Sequence, residues 1–333
     1  MRSFSLSCLL VALLLYEVGL LAREGTATEI ADGIYVWAGA QEEFSPHNKG
    51  HIANIGFMVG DQAVAVIDTG STYQEGVALR EMIKAVTPLP IKYVILTHMH
   101  PDHVLGAAAF SQDEPLFIGH DQLPDAMARR QSIYLDRMKQ ILGPLAEGTQ
   151  MVFPARTVSP GREMSLDLGG RTLELRAYPT SHTNNDLTVF DRKTGTLWLS
   201  DLLFVERIPV MDGSLLGWLK TIDQISAETC RAAVPEAMAQ TAKSATSVDS
   251  ACVRVQKVVP GHGPVVGHWQ AALADERRYL EFIAKGIRTV IKQGGTINQA
   301  VEQVGWEERN NWLLFEEYHG RNVTASFAEL EWE

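Results

Sequence analysis

Cysteine is scarce in this chain: three among 333 residues, none at the spacing of a metal-binding thiolate cluster. A zinc site built from cysteine is therefore excluded. Positive charge is short as well. Lys and Arg total 29 against 40 Asp and Glu, a formal charge of −11, and no basic block concentrates the cations. Such a surface is a poor match for a polyanion, so nucleic acid is not an expected partner. With 46% hydrophobic and 21% charged residues, 27 Gly and 14 Pro, the composition excludes intrinsic disorder and collagen-like repeats. What remains is a globular chain long enough for a substantial core. No Pro-, Ser- or charge-rich linker divides it after the N-terminus, so a single domain is expected.

The N-terminus reads as a separate object. Arg2 precedes an apolar run from Leu9 to Leu15, and small or apolar residues lead to Ala22 before Arg23 and Glu24. This pattern predicts a secretory signal peptide over residues 1–22, with residues 23–333 as the mature domain. Glu17 and Gly19 interrupt a run already shorter than the roughly 20 apolar residues of a spanning helix, so no membrane association is expected after cleavage. A periplasmic or secreted location follows. Cys8 leaves with the signal, and Cys230 and Cys252 remain. In an oxidising compartment that even pair predicts a disulfide, with two buried free thiols as the alternative.

From Ile34 onward, short apolar runs alternate with helical patterns. Ile34–Ala38, Ile52–Val59, Ala63–Asp68 and Tyr93–Thr97 read as strands. Leu79, Met82, Ile83 and Val86 mark an amphipathic helix that Pro88 and Pro90 stop. Further strands are expected at Arg171–Tyr178, Leu187–Asp191, Thr196–Ser200 and Val255–Val259, separated by Gly-containing turns. Residues 121–150 read as a helical insertion, residues 220–240 as a helix, and residues 269–333 as C-terminal helices beginning with 269–292. Strand-rich halves interleaved with helices predict a layered α/β sandwich.

Chemistry concentrates at strand ends. His98-Met99-His100-Pro101-Asp102-His103 directly follows one expected strand. A turn there lets alternate side chains converge, with His98 and His100 on one cation and Asp102 and His103 on another. His182 follows a second strand, Asp201 ends a third, and His262 follows a fourth between Gly261 and Gly263, which allow close backbone approach. Imidazole and carboxylate donors suit zinc, and also iron or manganese. His51 and Asn54 read as structural, and His47, His120, His268 and His319 show no ligand spacing.

Together these residues resemble the metallo-β-lactamase superfamily over about residues 30–270. The resemblance implies a four-layer αββα sandwich, two mixed β-sheets flanked by helices, with two zinc ions. By matching positions, His98, His100 and His182 would hold the first ion, Asp102, His103 and His262 the second, and Asp201 would bridge both. Asp102 would also relay protons beside a hydroxide held between the ions. Asp68, in Val66-Ile67-Asp68-Thr69-Gly70, matches a residue that orients a ligand histidine from behind. Asp at position 201 is similar to glyoxalase II-like hydrolases, whereas class B β-lactamases carry Cys or Ser there. The strings Gly50–Phe57, Thr97–Gly106 and Asp201–Trp218 resemble SoxH-like, quinoprotein-relay-type zinc metallohydrolases, exported proteins associated with PQQ-dependent oxidation systems.

The resulting expectation is an exported dinuclear zinc hydrolase of a small-molecule thioester, ester, lactone or lactam-like bond, linked to a periplasmic quinoprotein oxidation system. Its alternatives are a mononuclear iron enzyme similar to persulfide dioxygenases, a non-catalytic accessory protein binding metal or quinone, and a β-lactamase. Residues 202–219 are expected to form a loop or edge near the metals, with Arg207, Asp212 and Trp218 as candidate substrate contacts. The competing reading pairs Arg207 with Asp212 and buries Trp218. Asn322-Val323-Thr324 is a glycan acceptor sequence that matters only in a glycosylating host.

Overall fold

The computed structural model describes residues 25–231 and 253–333. The expected signal peptide lies outside them, as does Cys252 and with it the pairing to Cys230. The first half runs β1 (Thr28–Ala31), β2 (Ile34–Trp37), β3 (Ile55–Val59), β4 (Val64–Ile67), α1 (Tyr73–Val86), β5 (Ile91–Ile95), the single turn α2 (Pro101–Val104), β6 (Leu116–His120), α3 (Leu123–Leu142) and β7 (Arg156–Val158). The second half runs β8 (Glu163–Asp167), β9 (Thr172–Ala177), β10 (Leu187–Asp191), β11 (Thr196–Phe204), α4 (Leu215–Glu228), β12 (Thr229–Arg231), β13 (Val253–Val255), β14 (Lys257–His262), α5 (Trp269–Lys292), α6 (Ile297–Gln303) and α7 (Phe315–Leu330).

Strands β1 to β7 form one sheet in chain order, antiparallel through β4 and parallel from β4 to β7. The other large sheet is ordered β14-β11-β10-β9-β8, with β11 and β14 parallel and the rest antiparallel. Both are mixed sheets. Side-chain alternation assigns each face. In β3 and β4, Phe57, Val64 and Val66 point outward to α1 and α3, while Met58, Ala65 and Ile67 point inward to the other sheet. In β11, Trp198 points inward, and Leu197 and Leu199 meet the C-terminal helices. Three apolar layers therefore separate α, β, β and α, the expected four-layer sandwich. Burial on both faces explains why these strands read as continuous apolar runs.

Local signals set most boundaries. The Thr72 side chain caps α1 by accepting from Glu75 N, and the helix stops at Thr87 before Pro88. Among the described residues no helix is long and apolar enough to cross a membrane. The expected helix over 220–240 instead begins at Leu215, where Ser214 accepts from Gly217 N as its cap. The expected strand from Ile52 starts at Ile55, because residues 52–54 bond across to the His262 turn.

Trp198, with no solvent exposure, fills the space between the sheets. Trp198→Ala is expected to cost about 3–5 kcal/mol of stability, read as a lower denaturant midpoint with little change in slope.

Candidate metal centre

The carboxyl ends of β4, β5, β9 and β14 open along one edge of the sandwich, where α/β sheets place function. Asp68 follows β4, and the His98–His103 string follows β5. Pro101 holds His100 extended (φ −65°, ψ 147°) and starts the single turn α2. His98 and His100 thus stay on the extended approach, and Asp102 and His103 swing around on helical backbone. His182 lies in the turn between β9 and β10, and His262 ends β14. Asp201 differs from expectation. It sits inside a strand that continues to Phe204, not beyond its end, because Leu202, Leu203 and Phe204 are buried and prolong it. Ser200 at φ 50° and a register shift against β14 break the pleat just before Asp201.

The structure brings all seven expected ligand residues together. One group holds His98, His100, His182 and Asp201, and the other Asp102, His103 and His262; within each, the ligand atoms lie within 4.8 Å of one another. His182 Nε2 is 3.0 Å from His100 Nδ1. Asp201 Oδ2 is 3.3 Å from His182 Nε2, 3.5 Å from His262 Nε2 and 3.6 Å from His98 Nε2, and its Oδ1 is 3.1 Å from His103 Nε2. Asp201 therefore faces both groups. Asp102 Oδ2 is 3.3 Å from His262 Nε2 and 3.7 Å from His103 Nε2.

Each imidazole is anchored by its outer nitrogen, which leaves the inner one for the cleft. His103 Nδ1 donates to Asp68 Oδ2 at 2.8 Å, His182 Nδ1 to the Val210 carbonyl at 2.7 Å, and His262 Nδ1 to the Ile52 carbonyl at 2.8 Å. His100 Nε2 donates to Asp212 Oδ2 at 3.0 Å, and His98 Nδ1 is 3.1 Å from Thr97 Oγ1. Asp68 is itself held at 2.8 Å by both Thr97 N and Thr97 Oγ1. Fixing the far nitrogen fixes tautomer and ring angle, as metal-binding histidines require.

Divalent cations fit this arrangement. His98 Nε2, His103 Nε2 and Asp201 Oδ1 are buried without a hydrogen-bond partner among the described residues. Acceptor lone pairs facing one another in a dry cleft are costly unless positive charge sits between them. In the metal-free protein, protons respond to the same demand. Burial alone would lower the His103 imidazole, but Asp201, Asp102 and Asp68 outweigh it and hold it well above its usual value. Burial and then His103 push His98 well below, and burial takes His182 down to about 3. Asp201 stays ionised: burial opposes this, but His103, His262 and His98 hold it well below the carboxylate range.

The other expected contacts separate. Asp212 accepts from His100 and, through Oδ1, from Arg130 Nη2 at 3.1 Å. Arg207 and Trp218 have 2% and 0% exposure, so the expectation of substrate contact is corrected for both. Trp218 packs edge-on to His182, 5.2 Å between ring centres, and against Phe204. Arg207 does not pair with Asp212; its Nη1 lies 3.1 Å from His262 Nδ1, its Nη2 reaches Tyr318 Oη at 3.3 Å, and Glu43 closes the cluster. Both residues lie behind ligand histidines, because α4 and α7 cover the loop after β11.

Three contributors were not read from the sequence as parts of the site. Asn54 donates through Nδ2 to the Pro260 and Gly263 carbonyls at 2.9 and 2.8 Å, tying the His262 turn to the first sheet. Glu276 on α5 is fully buried and accepts from Phe204 N at 2.9 Å; burial pushes its carboxyl well above the usual range, and Phe204 stacks on His262. Helix α7 clamps the loop after β11. Met211 N donates to Asn322 Oδ1 at 2.9 Å, Asn322 Nδ2 to the Pro209 carbonyl at 2.6 Å, and Leu215 N to Glu329 Oε2 at 2.7 Å. Asn322 is 1% exposed, so its acceptor sequence is closed to a glycan in the folded protein. The close approach at Gly261 is real: a Cβ there would lie 1.7 Å from Asp201 Oδ1.

A two-sheet sandwich that jointly presents five anchored imidazoles and two carboxylates, several with orphaned lone pairs, is the architecture of a metalloenzyme. The sequence profile described as the metallo-beta-lactamase superfamily matches residues 48–243. The chain belongs to the metallo-β-lactamase superfamily and is a metal-dependent hydrolase. It is 23% identical over 251 residues to the beta-lactamase-like protein 2 homolog of Caenorhabditis elegans, covering 74% of this chain and 68% of that protein. Among solved structures, a metallo-β-lactamase from Pontibacter korlensis aligns with a TM-score of 0.53 at 16% identity, over 77% of this chain and 98% of its own. A double mutant of the sec-alkyl sulfatase PisA1 aligns with a TM-score of 0.64 at 16% identity, over 91% of this chain and 50% of its own. At such identities the structural likeness shows the fold.

Two outcomes follow from the anchoring. Asp68→Ala removes the outer partner of His103 and should weaken metal binding about 10–100-fold, measured by competition with a chelator. His103, raised in the metal-free protein, carries a proton at neutral pH that an entering cation must displace. Metal uptake near pH 7 should therefore release protons, and apparent affinity should rise with pH until His103 has titrated; an affinity independent of pH contradicts this.

Proposed function

We propose that this protein is an exported dinuclear zinc hydrolase that cleaves a thioester, ester, lactone or lactam-like bond in a small molecule and serves a periplasmic quinoprotein oxidation system. The observation that carries the dinuclear part is the shared position of Asp201, whose two oxygens face imidazoles of both groups. His98, His100 and His182 would hold one ion, Asp102, His103 and His262 the other, and Asp201 both. When bound, the pair would supply Lewis acidity at the substrate carbonyl and a water acidic enough to react near neutral pH.

The chain's own groups do the rest. Asp102 has more side-chain exposure than Asp201, 9% against 4%, which suits it to exchange protons with the cleft. Burial would raise it, but His103 and His262 hold it well below the carboxylate range, so it enters the reaction as an anion. Its Oδ2 faces His103 and His262 and leaves Oδ1 to accept a proton. Trp218 and Phe204 wall off His182 and keep water from its far side. Secretion is supported by the N-terminal pattern, and the oxidation-system link by the loop strings after Asp201. The sulfatase likeness covers 91% of this chain, so a sulfate ester belongs among the substrates tried.

Elemental analysis of protein purified without chelator should find two zinc ions per chain, whereas one iron per chain would favour the oxygenase alternative. A panel of thioester, lactone, ester, β-lactam and sulfate ester should then reveal turnover, with PQQ binding measured alongside to detect the accessory alternative. His98→Ala and Asp201→Ala should each lose metal and hydrolysis together, by more than the roughly 10–100-fold that loss of an outer partner costs. Full turnover and two ions in either variant would defeat the proposal.

A further inference from the structure

Two of the five imidazoles lean on carboxylates, and the two carboxylates live in different surroundings. Asp68, behind His103, is fully buried and held by Thr97 and Ser200. Asp212, behind His100, has a side chain 30% exposed on the loop between β11 and α4. Its backbone is fixed, since Asp212 N donates to the His182 carbonyl at 3.1 Å and α7 clamps Met211. Nothing on that loop fixes its carboxylate, which in contact with water has free rotamers. The group that does so comes from α3, far away in the chain. Arg130 Nη2 donates to Asp212 Oδ1 at 3.1 Å while Asp212 Oδ2 takes the proton of His100 Nε2 at 3.0 Å.

We propose that Arg130 is a positioning residue for the first metal site, acting through Asp212 to keep His100 Nδ1 turned towards His182. The helix that carries Arg130 thereby becomes a working part of the metal centre. Both Asp212 oxygens are engaged, one by each neighbour, so releasing Arg130 lets the carboxylate rotate away from His100. Tyr134, one turn further along α3, lies beside the guanidinium and limits its own wandering. The pair is partly exposed, 39% and 30% for the two side chains. An ion pair of that kind adds little to folding stability, whereas an outer partner of a metal-ligating histidine matters 10–100-fold for metal affinity. Fold stability and metal affinity should therefore part company.

This inference rests on the two-ion reading of the site, and its test is read without turnover. Metal-free wild-type protein, Arg130→Met, Arg130→Lys, Asp212→Asn and the Arg130→Met/Asp212→Asn double variant are titrated with zinc against a chelator, and with cobalt followed by its visible absorption. Methionine keeps the apolar stem of the side chain and removes the fork. Arg130→Met should bind the first ion about tenfold more weakly and shift the cobalt spectrum, with the second ion and thermal unfolding of the metal-free protein unchanged. Arg130→Lys should recover most of the loss. Adding Arg130→Met to Asp212→Asn should cost nothing more, because the arginine acts through the carboxylate. If Arg130→Met fails to fold, Arg130→Gln carries the same comparison. Wild-type affinity in the arginine variant, or losses that add in the double variant, overturns the proposal. A wild-type protein that takes up no metal overturns the metal centre itself.

Discussion

Seven donors with lone pairs aimed at one another in a buried cleft are the constraint on which the rest of this molecule depends. Left alone, they repel. The protein holds them in place by engaging every imidazole from behind, at Thr97, Asp212, Asp68, the Val210 carbonyl and the Ile52 carbonyl. Those partners come from different segments, so no single element can drift without dragging a ligand out of line. The raised His103 and the depressed His98 and His182 are the electrostatic signature of this crowding before any cation arrives. Protons lodge where the carboxylates are densest and avoid the imidazole-rich end.

The fold makes that crowding feasible by dividing the work between its sheets. The first sheet supplies Asp68 and the His98–His103 string; the second supplies His182, Asp201 and His262. Neither has a complete set for either cation group, because Asp201 belongs with histidines of the first sheet and His262 with Asp102. Registration between the sheets therefore sets ligand distances. The inner apolar layer, with Trp198 at its centre, is the spacer. At the edge, Asn54 and the Gly261 approach close the seam, since Asn54 bonds the His262 turn and a side chain at 261 would collide with Asp201.

Much of this was legible in the residues alone. Short continuous apolar runs placed the central strands, and the helix spanning Trp269–Lys292 matched its expected limits. The ligand residues were legible because chemistry needs scarce residue types at strand ends, where short-range pattern and function coincide. Edge strands such as β7 and β8 were missed because half-exposed strands alternate with polar residues and turn signals blur them. The strand carrying Asp201 runs on to Phe204 and does not stop at Ser200, because tertiary packing buries Leu202, Leu203 and Phe204 beyond the kink. Arg207 and Trp218 looked like a substrate wall because they follow a ligand in sequence; α4 and α7 turn that segment inward. Arg130, Asn54 and Glu276 act across 82, 206 and 72 residues of chain respectively, and no local pattern encodes such pairings.

The clamp by α7 has a bearing on how the protein is made. Pro209 and Met211 on the loop and Leu215 at the start of α4, which flank the carboxylate behind His100, are anchored by Asn322 and Glu329. A chain synthesised from its N-terminus can form both sheets long before those anchors exist. Until the last helix has docked, the segment that backs His100 through Asp212 and His182 through the Val210 carbonyl lacks those anchors. The segment that backs His100 and His182 therefore takes its final set only once Asn322 and Glu329 are in place, which makes the C-terminal helix part of the ligand scaffold and not an appendage to it.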